Sequence, residues 1–243
     1  MSDYGKDLAY VHDAGFLDMA ERATPLVVSL LGERGVAGAR VVELGCGSGA
    51  TAAALSAAGH RVIGIDASRA MIEIARARAP QARFRSGSWT NAEVPECDCV
   101  LAIGEVFGYV GAARGTKSEL QDLFGRVRAS ISPGGYFVFD LATPGRVPGG
   151  EASSYRVGDD WAILYTAQED KVGERLQRRI TIFRKIEGGA TYRRTEEVHR
   201  LRLWPAREVA ELLREARFRV QIRRGYSREG YVPGHRVFVA RAR

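Results

Sequence analysis

Val41-Val42-Glu43-Leu44-Gly45-Cys46-Gly47-Ser48-Gly49 leaves a short apolar run and opens the alanine-rich segment Ala50–Ala58. Glycines at such a strand-to-helix junction allow a tight turn. They also let a ligand touch the backbone where a Cβ would collide. Two carboxylates stand in register with the loop: Glu43 lies two positions before Gly45, and Asp66 ends the next apolar run, 17 positions after Gly49. A carboxylate at the tip of a second strand is where a ribose diol finds its acceptors. The spacing also separates ligands. A dinucleotide fingerprint reads G-x-G-x-x-G, its third glycine bringing helix close to sheet. Here Gly45, Gly47 and Gly49 stand two apart, and an acid beside them would repel a pyrophosphate but suits a cation.

Working outward, apolar runs alternate with helical segments, the pattern of a parallel sheet covered on both faces. Strands are expected at Arg40–Leu44, His60–Asp66, Arg83–Ser86, Asp98–Ile103 and Tyr136–Leu141. Helices are expected at Ala50–Ala58, Ser68–Ala79 and Lys117–Ser130, the last stopped by Ser-Pro-Gly-Gly. Upstream, residues 3–34 follow a helical period interrupted at Pro25. Downstream, 145–160 reads as a Gly- and Pro-rich connection. Trp161–Thr166, Arg175–Lys185 and Thr191–Trp204 then read as antiparallel strands, with Glu187-Gly188-Gly189 as a hairpin turn. A helix over Pro205–Arg217 and strands over Arg219–Arg224 and Arg236–Ala240 complete the chain.

Composition narrows the class. The chain has 243 residues, 45% hydrophobic and 27% charged, which is globular rather than disordered. No apolar run reaches the ~18 residues of a membrane span, and the polar N-terminus lacks a signal-peptide pattern, so a cytoplasmic protein without membrane partners is expected. Cys46, Cys97 and Cys99 have neither disulfide-scaffold nor zinc spacing, and no metal is expected. Residues 1–142 carry 14 Lys and Arg against 16 Asp and Glu, whereas residues 143–243 carry 22 against 13. The basic C-terminal part suits anionic partners, from small carboxylates to nucleic acid.

The acid-x-Gly-x-Gly-x-Gly loop with Asp66 resembles the S-adenosylmethionine loop of class I methyltransferases, over residues 40–142 and 205–243. The resemblance implies an α/β fold: a seven-stranded, mostly parallel, doubly wound sheet with its last strand antiparallel. Residues 1–38 would form an N-terminal helical lid and 39–142 the cofactor-binding core. An antiparallel β insertion over 143–204 would cap the substrate, and 205–243 would complete the core. The cofactor would be S-adenosyl-L-methionine, leaving as S-adenosyl-L-homocysteine. By the resemblance, Glu43, Gly45, Cys46, Gly47, Gly49, Asp66, Ala67 and Met71 would bind it. Met71 would pack on the adenine, and Ser88 and Trp89 would lie at its edge, although the Asp often found there is absent. The segment Ile103–Tyr109 resembles that of glycine N-methyltransferase-like small-molecule enzymes, so the Ile103 carbonyl would hold the cofactor's amino group.

Methyl transfer at a sulfonium needs alignment of the acceptor and, for some acceptors, removal of a proton. Candidates outside the strand tips are Glu105, Tyr109 and the lid residues Tyr10 and His12. Glu105 would be a base or amine ligand, or a salt-bridge partner to an arginine of the insertion. His199, on the strand face opposite Val198, is a candidate proton acceptor. Asp140 would brace the glycine loop. The acceptor is expected to be a small molecule, anionic or of secondary metabolism. The alternatives are a cyclase or lyase acting on the sulfonium itself, and an RNA methyltransferase. Nucleic acid is disfavoured, because Ile103-Gly104-Glu105-Val106 is not the Asn/Asp-Pro-Pro-aromatic stretch of base-amino enzymes. Monomer and homodimer both remain open.

Overall fold

Strand β1 (Arg40–Leu44) sits inside a seven-stranded sheet between β2 (Arg61–Asp66) and β4 (Cys97–Ala102), parallel to both. With β3 (Arg83–Ser86), β5 (Ile131–Ala142), β10 (Phe218–Arg223) and β11 (His235–Ala242), the order is β10-β11-β5-β4-β1-β2-β3. β11 runs antiparallel to both neighbours and the remaining pairs are parallel, as the resemblance implied. The computed structural model describes residues 4–109, 116–170, 175–186, 189–227 and 232–243. The expected turn at Glu187-Gly188 lies outside them.

Strands buried on both faces read as continuous apolar runs, and their successive side chains feed two cores. Val42 and Leu44 join Phe124 of α5 (Lys117–Ser130), Leu213 of α6 (Ala206–Glu215) and Phe137 on one side. Val41 joins Val27 of α2 (Asp18–Glu33), Leu55 of α3 (Ala50–Ala57) and Ile72 of α4 (Arg69–Arg78) on the other. Two helix starts carry their own caps: Ser68 Oγ accepts from Met71 N, and Thr116 with Glu119 forms a reciprocal capping box before α5.

The insertion is a second, antiparallel sheet ordered β6-β7-β8-β9: Glu151–Val157, Trp161–Glu169, Arg175–Lys185 and Tyr192–Arg202. Its inner face packs Trp161, Ile163, Ile180 and Ile182 against Leu8 and Val11 of α1 (Lys6–Gly15). Three expectations need correction. The N-terminal period is broken at Phe16-Leu17 into α1 and α2, while Pro25 is accommodated inside α2. The segment 145–160 contains the edge strand β6, every residue of it exposed, so no buried alternation announces it. β5 begins at Ile131, so Ser-Pro-Gly-Gly lies inside the strand, where the β4 pairing shifts register.

Candidate active site

The carboxyl ends of β1, β2 and β4 open on one edge of the sheet, where a right-handed parallel sheet places its crevice. Gly45 sits at φ +67°, and a Cβ there would lie 2.5 Å from Val106 Cγ2. Gly47 sits at φ +52° with nothing within 4 Å of where its Cβ would be, so its backbone faces open space. Asp66 locks this turn: its Oδ2 accepts from Gly47 N at 2.8 Å and its Oδ1 from Ser68 N at 2.8 Å. Burial pushes the Asp66 carboxyl up, and the backbone hydrogen bonds pull against that. Each oxygen keeps a further lone pair for a ligand.

A cavity of about 530 Å³ lies beneath this loop. Glu43, Gly45, Cys46, Gly47, Asp66 and Ala67 line it, and so do Met71, Ser88, Trp89 and Ile103. Gly49 does not. It meets Ala75 of α4, with 3.0 Å between that Cβ and where its own would be, so it serves the packing of α3. Trp89 is both wall and core, set edge-on to Phe107 at 5.5 Å. Glu43 is buried at the bottom, its Oε2 without a hydrogen-bond partner. Burial drives its carboxyl up to about 8 against a hydrogen bond from Thr51.

A second cavity of about 490 Å³ adjoins the first, between the sheet edge, α1 and the inner face of the insertion. The two share Tyr4, His12, Phe16, Met19, Gly104 and Tyr109. At this junction the Tyr4 and Tyr109 hydroxyls are 3.0 Å apart, and burial pushes both phenols up, so they stay protonated. The N-terminal segment is tied over the junction. Ser68 Oγ donates to Tyr4 O at 2.7 Å, and Arg193 pairs with Asp7 at 2.5 Å. His12 is neutral, its pKa driven down to about 4 by burial.

Two expected catalytic residues are relocated. Tyr10 faces away: its hydroxyl donates to Asp160 at 3.0 Å, and Arg184 lies 3.4 Å above its ring. Residues two apart on a helix point to nearly opposite sides, so α1 can send only one of Tyr10 and His12 inward. Tyr4, and not Tyr10, lines both cavities. Glu105 reaches the second cavity, but its carboxylate is held by Arg146 Nε at 2.7 Å and Arg178 Nη2 at 2.5 Å. Burial alone would raise its pKa; the two guanidiniums overwhelm that and hold it at about 2. A carboxylate so paired is an anchor and not a base at neutral pH. Of the three readings given to Glu105, the salt bridge to the insertion is the one the structure contains. Asp140 braces the neighbouring β4 tip instead of the glycine loop, accepting from Gly104 N at 2.9 Å, Glu105 N at 2.5 Å and Tyr226 Oη at 2.5 Å.

Residues 41–135 match the family described as a methyltransferase domain. That stretch of the chain is therefore a methyltransferase domain. The cypemycin N-terminal methyltransferase of a Streptomyces species is 28% identical over 68% of this chain and 67% of its own length. An S-adenosylmethionine-dependent methyltransferase from Clostridium acetobutylicum shares the fold at a TM-score of 0.81 and 16% identity, covering 96% of this chain and 97% of that one. S-adenosylmethionine-bound CalS10 is an amino pentose methyltransferase from Micromonospora echinaspora involved in calicheamicin biosynthesis. It superposes at 0.75 with 19% identity, covering 99% of this chain and 98% of that one. Among the described residues, no helix is long and apolar enough to cross a membrane.

Proposed function

We propose that this methyltransferase acts on a small anionic acceptor of secondary metabolism, bound in the second cavity. The observation that carries this reading is the meeting of two cavities at the Tyr4–Tyr109 pair, with Arg146, Arg156 and Arg178 lining the acceptor side. One carboxylate, Glu105, serves two of these guanidiniums, and Arg178 Nε is buried with no hydrogen-bond partner. Asp18 lines the same cavity 3.9 Å from Arg156, so three guanidiniums face two carboxylates, and that surplus of positive charge favours a carboxylate- or phosphate-bearing acceptor. A cavity of about 490 Å³ suits a small molecule.

The first cavity fits the cofactor. A buried carboxyl with one oxygen free of hydrogen bonds, an open backbone at Gly47 and spare lone pairs on Asp66 are the features an adenosyl sulfonium amino acid calls for. Asp66 would hold the ribose hydroxyls, Met71 and Trp89 would flank the adenine, and Glu43 with the Ile103 carbonyl would receive the amino-acid end. S-adenosylmethionine supplies a methyl group on a sulfonium whose sulfur keeps the bonding pair. The protein aligns the acceptor at the junction, where neutral Tyr4, Tyr109 and His12 offer hydrogen bonds and exclude water.

Glu43 gives this assignment a pH signature. A carboxyl held at about 8 must lose its proton to face an ammonium. S-adenosylhomocysteine should therefore bind with proton release below pH 8. Its affinity should rise with pH by up to tenfold per unit and level off above 8. Calorimetry in buffers of different ionisation heat reads this directly; no proton release at pH 7 would remove Glu43 from the amino end. For the acceptor, labelled S-adenosylmethionine is supplied with amines and hydroxyl compounds, each with and without a carboxylate or phosphate. Turnover is expected for the anionic members. Turnover confined to neutral or cationic members would overturn the proposed acceptor class.

A further inference from the structure

His199 lies on β9, cross-strand from Arg178, and is almost wholly buried at 1% exposure in the wall of the acceptor cavity. Its two ring nitrogens have different surroundings. Nε2 is 2.8 Å from Glu197 Oε2, whereas Nδ1 is buried with no hydrogen-bond partner. The Tyr4 and Tyr109 ring centroids lie 5.1 and 5.5 Å from that of the imidazole, which places His199 beside the cavity junction. Glu197 has a second task. Its Oε2 accepts from Tyr4 N at 2.9 Å and its Oε1 from Gly5 N at 2.8 Å, the two amides that enter α1. One carboxylate thus grips both the N-terminal segment and the histidine.

Resting on the proposed methyl transfer, we infer that Glu197 is a positioning residue that couples closure of the N-terminal segment to the orientation of His199. A carboxylate opposite Nε2 fixes the tautomer with the proton on Nε2 and leaves Nδ1 as an acceptor. The coupling follows from sharing. Without the two backbone amides, Glu197 loses the bonds that hold its carboxylate in place, and its grip on the imidazole loosens. Burial would raise the Glu197 carboxyl, but the hydrogen bonds from His199, Gly5 and Tyr4 more than reverse this, so it is ionised in the closed arrangement. The groups facing the imidazole are Tyr4 from the N-terminal segment, Tyr109 from the β4 tip, Arg178 from β8 and Glu197 from its own strand. His12 stands behind Tyr4, ring to ring at 5.3 Å.

The test is spectroscopic and needs no acceptor. The chain has four histidines, so a long-range proton–nitrogen spectrum of the uniformly labelled protein with S-adenosylhomocysteine isolates His199 by its loss in His199→Gln. The wild type should show a single tautomer protonated at Nε2. In Glu197→Gln that signature should be lost, and the Tyr4 and Gly5 amides should exchange with deuterium at least tenfold faster. A merely structural glutamate would leave the tautomer unmoved. Unchanged tautomer or unchanged amide protection would overturn the coupling. Should the glutamine variant not fold, Glu197→Asp keeps the charge, draws the carboxylate back by one methylene and carries the same expectations. S-adenosylhomocysteine binding by the wild type is measured alongside. Its failure would remove the function proposed for the cavity, whereas binding with an unmoved His199 would remove the coupling alone.

Discussion

Asp66→Ala is expected to weaken S-adenosylhomocysteine binding at least tenfold. Two losses combine at this position. The ribose hydroxyls would lose a charged acceptor, and hydrogen bonds to charged groups contribute about 1.5–3 kcal/mol each. The Gly47 and Ser68 amides also lose their partner, so the turn that presents Gly47 to the cavity is released. A loss of about 1.4 kcal/mol already accounts for tenfold. Asp66→Asn should be nearly as damaging, since its NH2 end must face one of the two backbone N–H groups. Isothermal titration reads both variants; wild-type affinity in Asp66→Ala would remove Asp66 from the cofactor site.

Glu105→Ala is expected to cost about 3–5 kcal/mol of stability, the usual result of leaving buried charge unpaired. Arg178 would be stranded in the wall of the acceptor cavity and Arg146 would lose its ion pair with Glu105. For a chain of this size that corresponds to a fall in Tm on the order of 10 °C. The same anchor sets an acid limit. Because the folded-state pKa of Glu105, about 2, lies below its ordinary value of 4.5, its contribution is present above pH 4.5 and is lost as pH falls toward 2. Glu105→Gln should flatten stability across that window, as followed by thermal melts. A Glu105→Ala melt within a degree or two of wild type would contradict the anchor assignment.

The legible part of the fold is the part where the backbone itself constrains residue type. Gly45 and Gly47 need positive φ at a crowded or open turn, and Asp66 must meet the Gly47 amide, so the spacing pointed to the loop that lines the first cavity. The centre of the sheet was legible because both faces of β1, β4 and β5 are buried and leave unbroken apolar runs. What stayed hidden depends on partners distant in the chain. Glu105 and its arginines are 41 and 73 residues apart, and nothing near Glu105 announces that its charge is already balanced. Tyr10 reads as the lid tyrosine until the phase of α1 turns it toward Asp160. Glu197 is one charge among many on β9 until the N-terminal amides are set against it. β6 escaped notice because an exposed edge strand has no core-facing period, and the break at Phe16-Leu17 because apolar residues continue through it.

A crystal structure of the protein with S-adenosylhomocysteine tests the central assignment most directly. The ribose should rest on Asp66 and the sulfur should point through the shared opening toward Tyr4 and Tyr109, facing the second cavity. A ligand whose sulfur is turned away from that opening, or density in the first cavity only for NADH, would contradict it.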